Sequence, residues 1–426
     1  MSRARPRAVV VVTGSELVRG ERTDLNGPFL AREALKHGLE PARVAIVGDA
    51  PAELEDALRS GLEADACLVS GGLGPTHDDR TVELLARAAG LALVVDADLE
   101  QEIEAVSRAT AERLKRPYAD FAVGVTKQAT RPEGSVSLGL AGTAPGLVLR
   151  GHTGCVVVVL PGPPSELQRL WPRALETEPM RELLARTRPP GRRVLRLFGL
   201  SESAVARALA EAGGDGDGVE ATICARDFEI HVDLVVEPGA EERADALEEA
   251  FLPPIERWLY SRDERPVEEH VLSMLRAGGL TLATAESITG GIIGARLTAV
   301  PGSSESFLGG VIAYSNAVKA SELGVPFELL AAHGAVSAEV AAAMAAGARE
   351  RLGADVAVAV TGIAGPGGAT PEKPVGLVYL HAEGPEGSVG RKLEYPGDRA
   401  SIRARSAVAA LHLVRRLLTR SLDEGV

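Results

Sequence analysis

The chain has few cysteines, few aromatic residues and little lysine. Its three cysteines, Cys67, Cys155 and Cys224, do not have the spacing of metal ligands. A disulfide framework or a cysteine metal site is therefore not expected, and we predict core residues in a reducing compartment. Arginine supplies nearly all the positive charge, so a lysine within a motif is less expected to occur there by chance. Lys127 and Lys319 are such residues.

Long apolar runs and an excess of positive charge are also missing. The N-terminal stretch has arginines but no apolar signal core, and no uncharged run of membrane-spanning length lacks glycine and proline. The net charge is -13, and no basic stripe interleaved with aromatic residues occurs. These features predict a cytoplasmic protein without membrane partners and argue against direct nucleic-acid binding.

The 426 residues, 45% of them hydrophobic, are enough for two or three domains. Residues 1–185 alternate strand and helix patterns, and the strand at Ala8–Val12 is apolar throughout. Such strands are typical of a sheet covered on both faces, so an α/β fold of three layers is predicted. Its ligands would bind in loops at the carboxyl ends of the strands.

Three of those loops contain unusual residues. One follows Thr13, one holds Gly48 and Asp49, and the third runs from Ser70 to Thr81 through Gly71, Gly72, Gly74, Pro75, Thr76, Asp78 and Asp79. Glycines allow close approach to phosphate, and carboxylates can hold a hard cation, so metal-assisted phosphate chemistry is indicated. Alternatively, Asp78 and Asp79 only cap the helix that begins near Thr81.

These loops, with Asp24, Asn26, 142–146 and 160–166, resemble the N-terminal domain of the CinA family, which is related to the molybdopterin-binding domains of molybdenum-cofactor biosynthesis. The resemblance implies hydrolysis of ADP-ribose to AMP and ribose 5-phosphate with a divalent metal (Mg, Mn or Co). It implies Asp49, Asp78 and Asp79 as metal ligands, and Gly71, Gly72, Gly74 and Thr76 beside the pyrophosphate. The chain departs from the family at 139–142, where an asparagine and a proline are expected, and at 125–126, where an asparagine is expected.

The pattern of residues 186–264 predicts a small α+β unit. We expect strands at 194–198, 220–224 and 229–236, and helices at 201–212 and 241–259. In the CinA family this region resembles a KH-type domain. The loop at Gly213–Gly216 lies among acidic residues that would repel phosphate, so a spacer or homodimerisation unit is favoured over nucleic-acid binding.

Residues 265–426 return to an α/β pattern, in which a predicted helix at Glu268–Ala277 precedes the stretch from Thr284 to Gly291. Ser287 is expected where a strand becomes a helix, and the N–H groups of Gly290 and Gly291 could stabilise an oxyanion there. The alternative is a helix-capping serine followed by turn glycines.

Two further strand ends would present Tyr314 with Lys319, and Thr361. A serine nucleophile needs a base, and His333 reads as structural. A buried neutral lysine can serve instead, with Tyr314 relaying a proton. The alternative is that Tyr314 is an ordinary aromatic residue of a strand and that Lys319 is exposed to solvent. Arg399 would bind a phosphate, or else form a surface ion pair with Asp398.

The motifs of this region resemble the CinA C-terminal domain, the nicotinamide mononucleotide deamidase family. They are 284–291, 307–319, 333–337, 361–365, 373–376 and 397–399. The resemblance implies hydrolysis of nicotinamide mononucleotide to nicotinic acid mononucleotide and ammonia, without a metal. It implies Ser287, Lys319 and Tyr314 as catalytic residues, and as substrate-binding residues Thr289, Gly290, Gly291, Thr361, Gly362, Gly365 and Arg399. Ile288 stands where cysteine is frequent, so the reaction would not need that sulfur.

A non-enzymatic alternative follows from the family's association with competence and DNA damage. The chain would then be an interaction protein with a nucleotide- or pterin-binding N-terminal domain. Metal-dependent release of AMP from ADP-ribose would distinguish an N-terminal hydrolase from a binding domain.

Overall fold

The structure, a computed structural model, describes residues 5–423, with side chains as far as Thr419. The fold is α/β, as predicted, and divides into two compact units. The first runs to Gly191 and includes 236–241, and the second holds 192–235 and continues from Glu242. Of the helices in the described range, none is both long and apolar enough to cross a membrane.

The first unit is built on a six-stranded sheet of order β2-β1-β3-β8-β7-β6. β1 pairs in parallel with β2 and β3, and β3 with β8, whereas β7 and β6 are antiparallel. The strands are β1 (Arg7–Thr13), β2 (Glu40–Val47), β3 (Ala66–Ser70), β4 (Leu93–Val95), β5 (Thr130–Pro132), β6 (Val136–Leu140), β7 (Pro145–Arg150) and β8 (Val156–Leu160). β4 and β5 form a separate ribbon.

Helices cover both faces of this sheet. They are α1 (Ser15–Val18), α2 (Asn26–Lys36), α3 (Pro51–Gly61), α4 (Thr81–Ala89), α5 (Ala97–Leu114), α6 (Ala119–Ala122), α7 (Val125–Ala129), α8 (Pro164–Leu175) and α9 (Glu178–Leu184). Alternate residues of β1 enter two cores: Val10 packs in one and Val11 in the other. This two-sided burial is why the parallel strands are apolar throughout.

The second unit begins with a four-stranded sheet of order β10-β11-β9-β12. It comprises β9 (Gly191–Leu197), α10 (Glu202–Glu211), β10 (Val219–Arg226), β11 (Glu229–Val236), α11 (Glu241–Phe251) and β12 (Leu259–Ser261). The helix predicted to reach residue 259 was therefore too long. Pro253 and Pro254 lack the N–H that would extend it, and a 3₁₀ turn and β12 follow instead.

The C-terminal sheet has the order β14-β13-β15-β16-β17. β13 is parallel to β14 and β15, and the last three strands are antiparallel. The elements are α12 (Val267–Gly278), β13 (Leu282–Glu286), α13 (Ile292–Thr298), β14 (Phe307–Ile312), α14 (Asn316–Leu323), α15 (Phe327–His333), α16 (Ala338–Leu352), β15 (Val356–Gly362), β16 (Leu377–Gly384), β17 (Gly387–Glu394) and α17 (Arg399–Asp423).

Helices again cover both faces of this sheet. α12, α13 and α17 pack on the side of Val358, and α14, α15 and α16 on the side of Ala357. Because β13, β14 and β15 run in parallel, their carboxyl ends meet at one edge. The prediction that a strand end presents Lys319 together with Tyr314 was wrong for the lysine, because β14 ends at Ile312 and Lys319 lies on α14.

One core prediction for the cysteines was also wrong. Cys67 and Cys155 are buried, whereas Cys224 is exposed on β10. Alternate residues of β10 face outwards, so its apolar neighbours in sequence do not place Cys224 in a core.

A close approach between α14 and α16 requires a glycine. A Cβ at Gly347, within α16, would lie 1.8 Å from the carbonyl oxygen of Leu323 at the end of α14. Any side chain would push the two helices apart, although alanine is the better helix former.

We expect Gly347→Ala to lower the free energy of unfolding by roughly 2 kcal/mol, measured by denaturant unfolding. Ala346→Gly, at the exposed neighbouring position, is the matched control and should cost about 1 kcal/mol through helix propensity alone. A Gly347→Ala protein more stable than wild type would contradict this packing.

Candidate active site

Ser287 lies immediately beyond β13, where the edge of the C-terminal sheet gives way to a glycine turn. Its backbone N–H donates to the carbonyl of Val360 at 2.9 Å, which ties it to β15. The residue is 8% exposed. The sheet therefore holds the serine rigidly and leaves it only a narrow opening to solvent.

Glu286, the last residue of β13, shapes the turn that follows. Its buried carboxylate accepts hydrogen bonds from the backbone N–H groups of Gly291 (2.9 Å), Ile293 (3.1 Å) and Gly294 (2.9 Å). Sequence reasoning missed this residue, although a carboxylate before a helix start is a recognisable signal. The N–H of Gly291 is thus occupied and, contrary to our expectation, is not free for an oxyanion.

Lys319 reaches Ser287 from the neighbouring helix. Its Nζ lies 3.1 Å from the Ser287 Oγ and donates to the carbonyl of Ala313 at 2.7 Å. The side chain of Ser315 caps α14 by accepting from the N–H of Val318, which fixes the turn that carries the lysine.

Burial controls the charge of this amine. Lys319 is 1% exposed, and loss of hydration lowers its pKa to about 8. No carboxylate within the described chain forms an ion pair with it. Roughly a tenth of the amine is therefore neutral at pH 7, and the neutral form is what a general base beside a serine requires.

Arg399 joins two of the strand-end loops. Its guanidinium donates to the Tyr314 hydroxyl at 2.8 Å and to the carbonyl of Gly365 at 2.7 Å. The predicted alternative, an ion pair with Asp398, is not formed; Asp398 instead accepts from the N–H of Ser401 and begins α17. The arginine therefore lies at the mouth of the site.

Tyr314 is close to Lys319 through its backbone rather than its ring. Its carbonyl lies 3.5 Å from Nζ, and its side chain is 62% exposed with the hydroxyl on Arg399. No hydrogen bond in the described range connects this hydroxyl to Ser287 or Lys319. The predicted proton relay thus has no path in this structure.

The other predicted binding residues are held mainly by local packing. The Thr361 hydroxyl donates to the carbonyl of Ala335 at 2.7 Å, and a Cβ at Gly362 would lie 2.8 Å from the carbonyl of Leu377. The Thr289 hydroxyl is buried without a hydrogen-bond partner among the described atoms. Gly290 and Gly365 have left-handed backbones at the two loops that flank Ser287 and Arg399.

In the first unit, the loop between β3 and α4 is closed by its own side chains. Asp79 accepts from the N–H of Thr76 at 3.0 Å, and the Thr76 hydroxyl donates to Asp78 and Asp79. Lys127 donates to the Thr76 carbonyl. A cavity of about 200 Å³ adjoins the loop and is lined by Gly72, Gly74, Asp79 and Lys127 among others.

Packing accounts for the loop glycines without a ligand. A Cβ would lie 2.6 Å from the Thr13 carbonyl at Gly71, 2.1 Å from the Thr81 hydroxyl at Gly72, and 2.4 Å from Asp79 at Gly74. Their predicted contact with a pyrophosphate stays a prediction.

The predicted metal ligands are not gathered into one cluster. Asp49 accepts from the hydroxyls of Thr13 and Ser15 and from the N–H of Ser15. Within the described part of the chain, no group of three or more His, Cys, Asp or Glu side chains could hold a metal ion. The residues present do not form a ready metal site.

Sequence reasoning gave Asn26 no specific role, yet it connects two strand ends at this edge. Its amide donates to the Ser70 hydroxyl at 2.9 Å and to the Gly162 carbonyl at 2.6 Å. Its carbonyl oxygen is buried without a partner among the described atoms.

Both halves of the chain match known sequence families. Residues 264–418 match the CinA C-terminal domain, and residues 9–179 match the "Probable molybdopterin binding domain". CinA-like proteins of Mycolicibacterium vanbaalenii and Mycobacterium tuberculosis are each 44% identical to this chain. The matches cover 97% of this chain and 99% and 97% of those proteins, respectively.

Among solved structures, the competence/damage-inducible protein CihA of Agrobacterium tumefaciens is 40% identical. It aligns with 37% of this chain and 99% of its own, with a TM-score of 0.35. On the sequence matches over nearly its whole length, the chain belongs to the CinA family, with a molybdopterin-binding-like domain followed by a CinA C-terminal domain.

Proposed function

We propose that the C-terminal domain hydrolyses the carboxamide of nicotinamide mononucleotide, giving nicotinic acid mononucleotide and ammonia. The observation that carries the proposal is the buried Lys319 amine 3.1 Å from the Ser287 hydroxyl, with a pKa of about 8. This pair has the parts of a metal-free amide hydrolase. The particular substrate comes from the resemblance to the deamidase family.

In the first half of the proposed reaction, neutral Lys319 takes the Ser287 proton as Oγ attacks the carboxamide carbon. The oxyanion needs N–H donors other than Gly291, which Glu286 occupies. The N–H groups of Gly290 and Gly365 donate to no acceptor among the described residues and are the candidates. As the C–N bond breaks, protonated Lys319 returns the proton to the leaving nitrogen, which departs as ammonia.

In the second half, water hydrolyses the ester formed on Ser287. Lys319 takes a proton from the water as its oxygen attacks the acyl carbon, and gives the proton back to Oγ as the ester bond breaks. The carboxylic acid that forms loses its remaining proton to solvent and leaves as the carboxylate of nicotinic acid mononucleotide. One amine therefore serves as base and acid in both halves.

The substrate phosphate would bind at the mouth of the site. Arg399 is exposed and donates to two neutral oxygens, the Tyr314 hydroxyl and the Gly365 carbonyl. A phosphate dianion is a stronger acceptor than either oxygen. We therefore assign Tyr314 to holding Arg399 and the phosphate, in place of the proton relay.

Replacing the nucleophile gives the first prediction for this site. Ser287→Ala should lower ammonia release from nicotinamide mononucleotide by roughly a thousandfold or more, because the acyl intermediate can no longer form. Release is measured with chelator present and no added metal, and thermal unfolding should stay close to that of wild type.

Ser321→Ala, at an exposed serine of α14, is the matched control and should keep full activity. Retained turnover in Ser287→Ala would remove the nucleophile assignment. A folded wild-type protein that releases no ammonia would overturn the deamidase proposal and favour the interaction-protein alternative.

The base assignment predicts a pH profile. Only the neutral amine accepts a proton, so kcat/KM should rise about tenfold between pH 7 and pH 9 and level off above the pKa of about 8. Lys319→Met should abolish turnover and leave substrate binding, measured by calorimetry, near the wild-type value.

Lys392→Met, at an exposed lysine of β17, should retain both the rate and the profile. A wild-type rate that is flat across this pH range, or normal turnover in Lys319→Met, would leave the role of base unfilled.

For the first unit we propose hydrolysis of ADP-ribose to AMP and ribose 5-phosphate. The cavity beside Gly72, Gly74 and Asp79, with Lys127 on its wall, favours this. Lys127 and the glycine N–H groups suit a pyrophosphate. The requirement for a divalent ion, with Asp49, Asp78 and Asp79 as its ligands, comes from the family resemblance alone, because the described residues do not gather these side chains into one cluster.

We expect AMP release with Mg, Mn or Co and none with chelator, and at least a tenfold loss in Asp79→Asn, because Asp79 both closes the loop and lines the cavity. Asp56→Asn, at an exposed position of α3, is the control. Tight binding of a nucleotide or a pterin without hydrolysis would instead identify a binding domain. A cytoplasmic location and a homodimer stay predictions.

A further inference from the structure

A large cavity in the second unit lies away from Ser287 and Lys319. It measures about 750 Å³ and opens between the β10–β11 turn and the surface formed by β17 and α17. Neither Ser287 nor Lys319 lines it, and neither does Arg399. Its volume is typical of a small-molecule site. An adjoining cavity of about 350 Å³ shares two of its walls, Arg391 and Arg416.

The walls of the two cavities carry an excess of arginine. The larger cavity is lined by Arg391, Arg405 and Arg416, and the smaller by Arg391 and Arg416 together with Arg257 and Arg415. The chain as a whole has a net charge of -13, so this local concentration of positive charge is unusual. It marks a place where an anion would be attracted.

Few protein carboxylates form ion pairs with these arginines. Of the carboxylates in the described range, none forms an ion pair with Arg257, Arg391, Arg405 or Arg415. The Nε of Arg405 is buried and has no hydrogen-bond partner among the described atoms. A buried unpaired donor on a cation costs free energy that an anionic ligand would recover.

Two acidic residues on the cavity wall offset part of the arginine charge. Glu229 accepts from the Tyr260 hydroxyl and pairs with His412, each at 2.6 Å. Burial alone would raise the pKa of Glu229, but the neighbouring His231, at 3.6 Å, and the hydrogen bonds with His412 and Tyr260 hold it at about 2. Asp227 lies 3.5 Å from Arg226.

Aromatic rings stand beside the arginines. The Arg405 guanidinium lies over the Phe228 ring at 4.9 Å, and that of Arg257 over the Trp258 ring at 3.8 Å. Both rings line the larger cavity. Alternating guanidinium and aromatic planes suit a flat heterocycle, which can stack on either.

Phe228 also has a strained backbone. Asp227 and Phe228 connect β10 to β11 with φ of 52° and 66°, in the left-handed region. A two-residue turn of this kind favours Asn-Gly or Asp-Gly, and a bulky residue is rare in its second position. The strain places a partly exposed ring at the cavity mouth, and such strain is concentrated at functional sites.

We propose that this cavity binds a nucleotide: an aromatic heterocycle that stacks beside Phe228 and Trp258, with phosphate groups that pair with Arg391, Arg405 and Arg416. A single nucleotide fits the volume, whereas an oligonucleotide would need a basic surface that extends beyond the cavity. The proposal is independent of the deamidase assignment.

The test locates the ligand directly. The full-length protein is photolabelled with 8-azidoadenosine 5′-diphosphate, and the labelled peptides are identified by mass spectrometry. Label within 225–230 or 391–405 that unlabelled ADP displaces is expected. Label confined to 71–81 or 287–291, or no displaceable label at all, would overturn the proposal.

Substitutions on the wall should weaken the binding of ADP. Arg391→Ser and Arg405→Gln should each reduce the labelling of these peptides, and the affinity for ADP, by at least tenfold. Lys392→Ser changes the neighbouring residue of β17, which lines neither cavity, and should stay within twofold of wild type. Equal labelling in all three variants would contradict the site.

Phe228→Gly separates binding from folding. It supplies the residue that the turn prefers and removes the ring, so ADP affinity should fall at least fivefold while the melting temperature does not fall. An unchanged affinity of Phe228→Gly for ADP would show that the Phe228 ring does not stack on the ligand. Displacement of the label by a ten-nucleotide single-stranded RNA at a lower concentration than ADP would overturn the small-molecule identity.

Discussion

The chemistry proposed for the C-terminal domain depends on one buried amine. Lys319 is almost fully enclosed and faces a hydroxyl and backbone carbonyls, so the protein holds its pKa at about 8 instead of the ordinary 10.5. This costs about 3 kcal/mol of folding free energy at neutral pH. Because the folded pKa lies below the unfolded one, that stability returns only as the pH rises from 8 towards 10.5. In the proposed mechanism, this loss of stability at physiological pH accompanies an amine that can act as a base for the serine.

The rest of the site holds the Lys319 amine and the Ser287 hydroxyl in fixed positions relative to each other. β13 and β15 fix Ser287 through the Val360 carbonyl, and Ser315 fixes the first turn of the helix that carries Lys319. Glu286 orders the glycine turn by accepting three backbone N–H groups. These contacts come from rigid elements around one sheet edge, whereas Arg399 and Tyr314 lie at the exposed mouth, where a substrate can displace neutral partners. A rigidly held Ser287 and Lys319 inside the site, with exchangeable contacts of Arg399 and Tyr314 at its mouth, would suit the small phosphorylated substrate that we propose.

Much of this architecture could be predicted from the sequence. Apolar strands followed by glycine-rich loops predict the α/β fold, and the motif residues lie at the strand ends as expected, because parallel strands place their carboxyl ends together. Contacts between distant residues could not be predicted. Nothing in the local pattern shows that Glu286 turns back onto its own helix start, that the Tyr314 ring turns to Arg399, or that Lys319 lies on a helix. The arginines around the 750 Å³ cavity come from separate stretches that only the fold brings together.

The most direct test of the account is the pKa of Lys319 itself. The chain has only six lysines, so a protein labelled with ¹³C at lysine Cε gives a spectrum simple enough to titrate, and the Lys319→Met spectrum assigns the signal. We predict that this signal titrates near pH 8, well below the ordinary lysine value of 10.5. A Lys319 signal that titrates near the ordinary value would show an amine charged throughout the neutral range, and it would contradict the proposal that Lys319 is the base for Ser287.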